Sequence, residues 1–297
     1  MGSKIIDWHG SFAVLVTPFT EFGDIDEKSY RHIINSVISA GCHGIIAAGS
    51  TGEFFLMTDA ERKEIFSIAS HQANGRVPVL AGTSAIATND VINLTKHAEK
   101  VGCDGILLLP PIYIKVSTEE LIEFYSQVSK ESNLPIMLYN SPAVPNNLTP
   151  DIVQTLMSID NVVAIKDSSG NLRQMSNLIR LCDDRLKVFV GEENLLLPAI
   201  SIGAVGAVAM MPQVVGNMAV ELYNASHSGN MEHARRLHHQ MVRIYDIFGV
   251  GSGYVAIKES MKLLGKPGGF TRPPMMPFTD KQRSELNNIF QDVGLIP

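Results

Sequence analysis

Cysteine is scarce in this chain, tryptophan occurs once, and lysine and arginine nowhere cluster. The three cysteines, Cys42, Cys103 and Cys182, show no CxxC spacing. An odd count without that spacing argues for reduced core thiols rather than a disulfide framework. No HxxxH pair or grouped His/Cys set is found, so no metal is expected. A net charge of -6 without a basic patch argues against a nucleic-acid partner. No apolar run approaches the ~18 residues of a membrane helix, so no membrane partner is expected. The first ten residues, MGSKIIDWHG, hold no apolar signal region, and Ile6 stands where a myristoylation signal needs Ser or Thr. A cytoplasmic location is therefore expected. The sequons at Asn93, Asn147 and Asn224 then read as chance matches.

What the chain does have is apolar content and alternation. Of 297 residues, 45% are hydrophobic and 18% charged, the balance of a globular protein. Eight short apolar runs recur: 12–16, 44–48, 78–81, 105–109, 135–139, 162–165, 188–190 and 207–210. Helical periodicity fills the gaps, at 27–40, 59–72, 89–101, 118–132, 149–158, 171–181 and 194–202. Thr58-Asp-Ala-Glu61 and Ser117-Thr-Glu-Glu120 carry helix-start signals.

Gly41-Cys-His-Gly44, Gly102-Cys-Asp-Gly105 and Gly203-Ala-Val-Gly206 each precede an apolar run. In each, the first glycine suits the left-handed residue past a helix end. One loop solution used three times indicates a repeated βα unit. Eight units close most naturally as a (β/α)₈ TIM barrel, with its site at the C-terminal strand ends. An open doubly wound sheet is the runner-up, but no phosphate-binding glycine loop follows the first run. From about Gly216 the pattern is all helical: 217–228, 231–248, 253–264 and 279–290. The expected division is a barrel over 1–215 and a C-terminal helical appendage over 216–297. Gly249-Val-Gly-Ser-Gly253 follows a helix rather than a strand, and so reads as a helix break.

The stretch Asn161–Gly170, NVVAIKDSSG, is where chemistry first suggests itself. Lys166 closes a β-branched run typical of a strand buried on both faces. It is the only strand-end lysine so placed. A lysine head withdrawn from water loses its charge more readily and can then attack a carbonyl. Alone, such a lysine more often packs its stem and sends its head to solvent. The neighbouring runs change the balance. The fifth ends in Tyr139-Asn-Ser-Pro142, which brings a phenol within ~5 Å of the amine if the two strands pair. The second ends in Gly49-Ser-Thr-Gly-Glu53, whose hydroxyls and backbone N–H groups form a plausible carboxylate nest. The seventh ends in Gly191-Glu-Glu-Asn194, where helix-capping acids are the plain alternative.

Gly49-Ser-Thr-Gly-Glu53, Tyr139-Asn140-x-Pro142 and Ile165-Lys166-Asp167 resemble the three signatures of the dihydrodipicolinate synthase and N-acetylneuraminate lyase family. The likeness runs through the whole chain in order and spacing. It implies a pyruvate-handling class I aldolase on a (β/α)₈ barrel, commonly a homotetramer built as a dimer of dimers. It implies that Lys166 forms a covalent imine with a 2-keto acid and that no cofactor is needed. Lys166, Tyr139, Thr51 and Tyr113 would then be catalytic, with Tyr139 relaying protons and Tyr113 reaching a neighbouring subunit's site. Ser50, Thr51, Gly191, Glu193, Val208 and Val144 would surround the substrate. Ser50 and Thr51 would hold the carboxylate, and Glu193 would bind sugar hydroxyls.

Val144 departs from the pattern. Dihydrodipicolinate synthases carry an arginine there to meet the carboxylate of aspartate semialdehyde, and the Thr-Gly that follows is replaced by Pro145-Asn146. Other stretches are more similar to 2-keto-3-deoxy-sugar-acid aldolases. The leading expectation is thus cleavage of a 2-keto-3-deoxy sugar acid or a related hydroxy-2-keto acid. The alternatives are dihydrodipicolinate synthase itself, a 4-hydroxy-2-oxoglutarate aldolase, and a non-catalytic keto-acid binder.

Overall fold

Val162–Asp167 is a strand buried along nearly its whole length in the computed structural model, which describes residues 6–297. It is the sixth of eight: β1 Gly10–Val14, β2 Gly44–Ala47, β3 Val79–Gly82, β4 Gly105–Leu108, β5 Ile136–Asn140, β6 Val162–Asp167, β7 Lys187–Val190 and β8 Gly206–Ala209. All neighbours pair in parallel, and β8 returns to β1, closing the barrel. Both faces of each strand are covered, which is why the runs are apolar throughout rather than alternating. Ile165, Leu138 and Ile45 are fully buried. Each such side chain contributes about 2 kcal/mol by leaving water.

Seven helices connect the strands: α1 Glu27–Ser39, α2 Asp59–Ala73, α3 Thr88–Lys100, α4 Thr118–Lys130, α5 Pro150–Leu156, α6 Leu172–Cys182 and α7 Leu196–Ser201. Thr58 and Ser117 cap α2 and α4 with full capping boxes, closed by Glu61 and Glu120. Gly41, Gly102 and Gly203 all have positive φ, as the repeated loop requires. The second glycines open β2, β4 and β8 for a different reason. A Cβ on Gly206 would lie 2.0 Å from the Gly10 carbonyl, and one on Gly105 would lie 2.5 Å from the Trp8 ring. Trp8 packs edge-on against Phe12, and Phe12 against Phe189.

After β8 come α8 Pro212–Val215, α9 Asn217–His227, α10 Met231–Ile244, α11 Gly253–Leu263 and α12 Asp280–Asp292. The four-residue α8 is too short to show a period in the sequence. The expected helix over 231–248 stops at Ile244 and tightens into a 3₁₀ turn, Tyr245–Gly249. The glycine-rich run that follows is a helix break, as expected. The segment between α11 and α12 wraps back onto the barrel, where the Phe270 N–H donates to the Phe19 carbonyl at 2.8 Å. Among the described residues, no helix is long and apolar enough to cross a membrane.

Candidate active site

One extra residue decides the geometry at the end of β6. Ile136 faces Val162, but Met137 faces Ala164, so Val163 is a bulge. Without it Lys166 would fall opposite Asn140 and point to the other side of the sheet. With it, Tyr139 pairs with Lys166 and Asn140 with Asp167. The Lys166 Nζ then lies 4.3 Å from the centroid of the Tyr139 ring. Lys166 is 4% exposed and Tyr139 7%.

The next pair locks this register. Asn140 Nδ2 donates to Asp167 Oδ1 at 2.9 Å, and Asn140 Oδ1 accepts from the Leu148 N–H at 2.9 Å. Ser169 gives Asp167 its backbone N–H and its hydroxyl as well. Asp167 is therefore a saturated local knot that fixes the residue beside it, not a free base.

The Tyr139 hydroxyl sits among the hydroxyls of Ser50, Ser141 and Ser168. Burial pushes this phenol up, but the Lys166 ammonium and the three hydroxyls outweigh it, and the phenol lies below its ordinary value. Ser50 opens the 3₁₀ turn Ser50–Gly52 that follows β2, and Thr51 is buried in the same turn. Ser50 is thus the member of the pair whose hydroxyl meets the phenol. Ser141 and Ser168 were missed as site residues. The available signal was a hydroxyl directly after each of two strand ends.

Gly191 directly follows β7 beside Ser168, where a Cβ would come within 1.8 Å of the Ser168 Oγ. Val208 is fully buried in β8, paired across to Phe12. Val144 is half-buried on the loop after β5 and packs against the core. Tyr113 is 82% exposed, so within one chain the structure does not bring it to Lys166. Its loop is held by Asn146, which accepts from the Val116 N–H at 3.0 Å and donates to the Pro111 and Ile114 carbonyls, both at 2.7 Å.

Glu193 requires a correction. It was expected to meet substrate hydroxyls, but it is 1% exposed and both its oxygens are engaged. One accepts from the Met211 N–H at 2.6 Å and the other from the Tyr245 hydroxyl. Burial raises this carboxyl above its usual range, only partly offset by those donors. Its neighbour Glu192 is only half-buried and also feels the Lys166 charge. Burial raises Glu192, the Lys166 ammonium opposes that shift, and Asp167 adds to it. Adjacent acids in a strand-to-helix turn point in different directions, which spacing alone does not reveal.

Lys166 is also not the only buried lysine. Lys258, on α11, is 1% exposed, and burial lowers it to about 8 despite a partner carboxylate. Its head pairs with Glu53 at 2.5 Å and donates to the Thr17 and Phe270 carbonyls at 2.7 and 2.6 Å. With every proton engaged and no open side, it is a structural cation. Among the described residues, no group of three or more His, Cys, Asp or Glu is placed to hold a metal ion.

An amine and a phenol side by side at the C-terminal mouth of a (β/α)₈ barrel, facing a hydroxyl-bearing turn, fit the class of imine-forming, class I aldolase enzymes. Comparison with known proteins narrows this. The sequence profile of the Dihydrodipicolinate synthetase family matches residues 7–293. A 4-hydroxy-tetrahydrodipicolinate synthase of Oceanobacillus iheyensis is 36% identical over 279 residues, covering 94% of this chain and 95% of that protein. The E. coli K12 prophage protein YagE, solved in complex with pyruvate, is 30% identical. It superposes with a TM-score of 0.95 over 98% of this chain and 100% of its own. A dihydrodipicolinate synthase described as a monomeric variant is 26% identical, with a TM-score of 0.92 over 97% of this chain and 98% of its own. This chain belongs to the dihydrodipicolinate synthetase family. It is an enzyme of the lyase type, in a family that works through a pyruvate imine on a lysine without an external cofactor.

Proposed function

We propose that Lys166 is the imine-forming lysine, Tyr139 the proton relay and the Ser50–Gly52 turn the seat of the keto acid's carboxylate. The observation that carries this is the pairing of Tyr139 with Lys166, amine against phenol, with Ser50 at the phenol's hydroxyl. In the neutral form, the Lys166 amine attacks the keto carbon of pyruvate or of a longer 2-keto acid. The carbinolamine oxygen takes a proton from Tyr139 and leaves as water. The resulting cationic imine is an electron sink. In cleavage it accepts the electrons of the breaking C–C bond. In synthesis it loses a methyl proton to give an enamine that attacks an aldehyde. Tyr139, left as a phenolate, regains a proton through the Ser50, Ser141 and Ser168 hydroxyls, which gives the relay more than one route.

The aldehyde partner divides two readings. The first is a neutral hydroxylated aldehyde, and hence a 2-keto-3-deoxy sugar acid or similar hydroxy-2-keto acid in the cleavage direction; position 144 supports it. Val144 offers no charge to a carboxylate, and Glu192 adds an acid near Lys166. Burying an unpaired carboxylate there costs several kcal/mol. The names of the relatives favour the other reading, a 4-hydroxy-tetrahydrodipicolinate synthase using aspartate semialdehyde, and on that evidence the synthase carries more weight than the sugar-acid aldolase. A head-to-head condensation of pyruvate with glyceraldehyde and with aspartate semialdehyde separates them. A higher kcat/KM for glyceraldehyde supports the first, and a clear preference for aspartate semialdehyde overturns it. The tetramer, and Tyr113 as a residue given to a neighbour's site, belong to the same proposal. Tyr113 and Ile114 are exposed together on one loop, which supports a contact with a second copy. Sedimentation of the purified chain tests it.

A further inference from the structure

The Ser50–Gly52 turn ends in an unusual residue. Glu53 is not a glycine, yet it holds a left-handed backbone at φ 59° and ψ 36°. A non-glycine residue takes that conformation only where its surroundings fix it. The fixing comes from the far end of the chain. Glu53 is wholly buried, and its carboxylate pairs with the Lys258 Nζ at 2.5 Å. The Arg272 N–H also approaches the second oxygen, at 3.4 Å.

Lys258 does more than neutralise an acid. Its ammonium lies 4.6 Å from the centroid of the Phe19 ring and bonds the carbonyl of Thr17. The Thr17 hydroxyl in turn donates to the Gly52 carbonyl at 2.8 Å, inside the same turn. Lys258 therefore grips both ends of one loop of contacts: Glu53 directly, and Gly52 through Thr17. Its third bond, to Phe270, ties in the segment between α11 and α12, where Gly268 and Gly269 leave no room for a Cβ.

A buried ion pair is a poor way to gain stability, since apolar residues of the same volume often do as well or better. What it supplies that they cannot is direction. We propose that Lys258 and Glu53 are positioning residues: through them the C-terminal helices hold the Ser50–Thr51 turn in the shape that receives the keto acid's carboxylate. This rests on the placement of that carboxylate proposed above, and it adds that an intact tail sets affinity for the keto acid without touching it.

The test uses the full chain and pyruvate itself. Wild type and variants are incubated with increasing pyruvate and borohydride, the trapped mass is read by intact-protein and peptide mass spectrometry, and melting is followed in parallel. The double variant Lys258→Met/Glu53→Met removes both charges together, so neither is left stranded. It should melt close to wild type, yet need about tenfold more pyruvate for half-labelling, the scale of one charge-assisted hydrogen bond. Its labelling rate at saturation should change far less. Should that variant not fold, Thr17→Val decides, since it removes one hydroxyl from the turn while nearly keeping shape. It should raise half-labelling about threefold, the lower end of what a lost hydrogen bond costs. A folded variant with wild-type pyruvate dependence overturns the positioning role. Failure of wild type to label at Lys166 would instead overturn the underlying site assignment, so the two failures are distinct.

Discussion

Replacing Tyr139 by Phe removes one oxygen and nearly nothing else. The ring stays against Lys166, 4.3 Å from its Nζ, so packing and the cation–π contact persist. The hydroxyls of Ser50, Ser141 and Ser168 lose their shared partner. All three sit on turns and can rotate toward other acceptors, so the stability cost should be about 1 kcal/mol. The kinetic cost should be larger. Loss of a positioned acid–base group lowers turnover by roughly 10²- to 10⁴-fold, or about 2.7–5.5 kcal/mol of barrier. Pyruvate affinity should fall far less, because the backbone N–H groups of the Ser50–Gly52 turn and the buried Thr51 are unchanged by the substitution. The phenol also has a signature in pH. It is held below its ordinary value by Lys166 and the hydroxyls, so it must be protonated to hand over its proton. Wild-type turnover should therefore fall on the alkaline side at a pKa below 10, and that limb should vanish in Tyr139→Phe. The assay is steady-state turnover across pH, with urea unfolding as the stability control. Near-normal turnover in a folded variant would falsify the relay.

Other outcomes follow from single contacts. Gly191→Ala places a methyl where the Ser168 Oγ now lies and should displace that hydroxyl from the phenol; turnover should drop at least about tenfold with a smaller change in melting, checked by kinetics beside calorimetry. Val144→Arg should raise kcat/KM for aspartate semialdehyde relative to glyceraldehyde, measured by paired condensation assays; no change would show that position 144 does not face the acceptor. Glu61 is held at about 2 by Arg272, with help from Thr58, so its folded-state value lies below its unfolded one. That ion pair should contribute up to about 3 kcal/mol above pH ~4.5, lost as pH falls toward 2. Glu61→Gln should flatten the acid limb of the stability curve, as followed by urea titration.

The barrel was legible because its rule is simple. Eight runs buried on both faces, with three copies of one glycine loop, admit few closures, and each run lies within about two residues of its strand. The short α8 and the break after Ile244 were not legible, since four residues show no period and Tyr245 leaves the helix where its hydroxyl meets Glu193. At the site, Lys166, Tyr139 and Ser50 stood at strand ends and could be named. The bulge at Val163 could not, because a β-branched residue in an apolar run gives no sign that it is unpaired. That bulge turns two adjacent strand ends into one site. The fate of Glu193 was hidden for a similar reason: which of two adjacent acids is buried and which half-exposed depends on the backbone of the turn between β7 and α7. The pair of Glu53 and Lys258 joins positions 205 residues apart, beyond the reach of any local pattern.

The central claim is that Lys166 captures a keto acid covalently. Borohydride reduction of the full chain in the presence of pyruvate, followed by peptide mass spectrometry, tests it most directly. One pyruvate-derived mass should appear on the peptide holding Lys166, and Lys166→Ala should abolish it while the chain stays folded. A label on another lysine, Lys258 included, or no label in folded wild-type protein, would contradict the account.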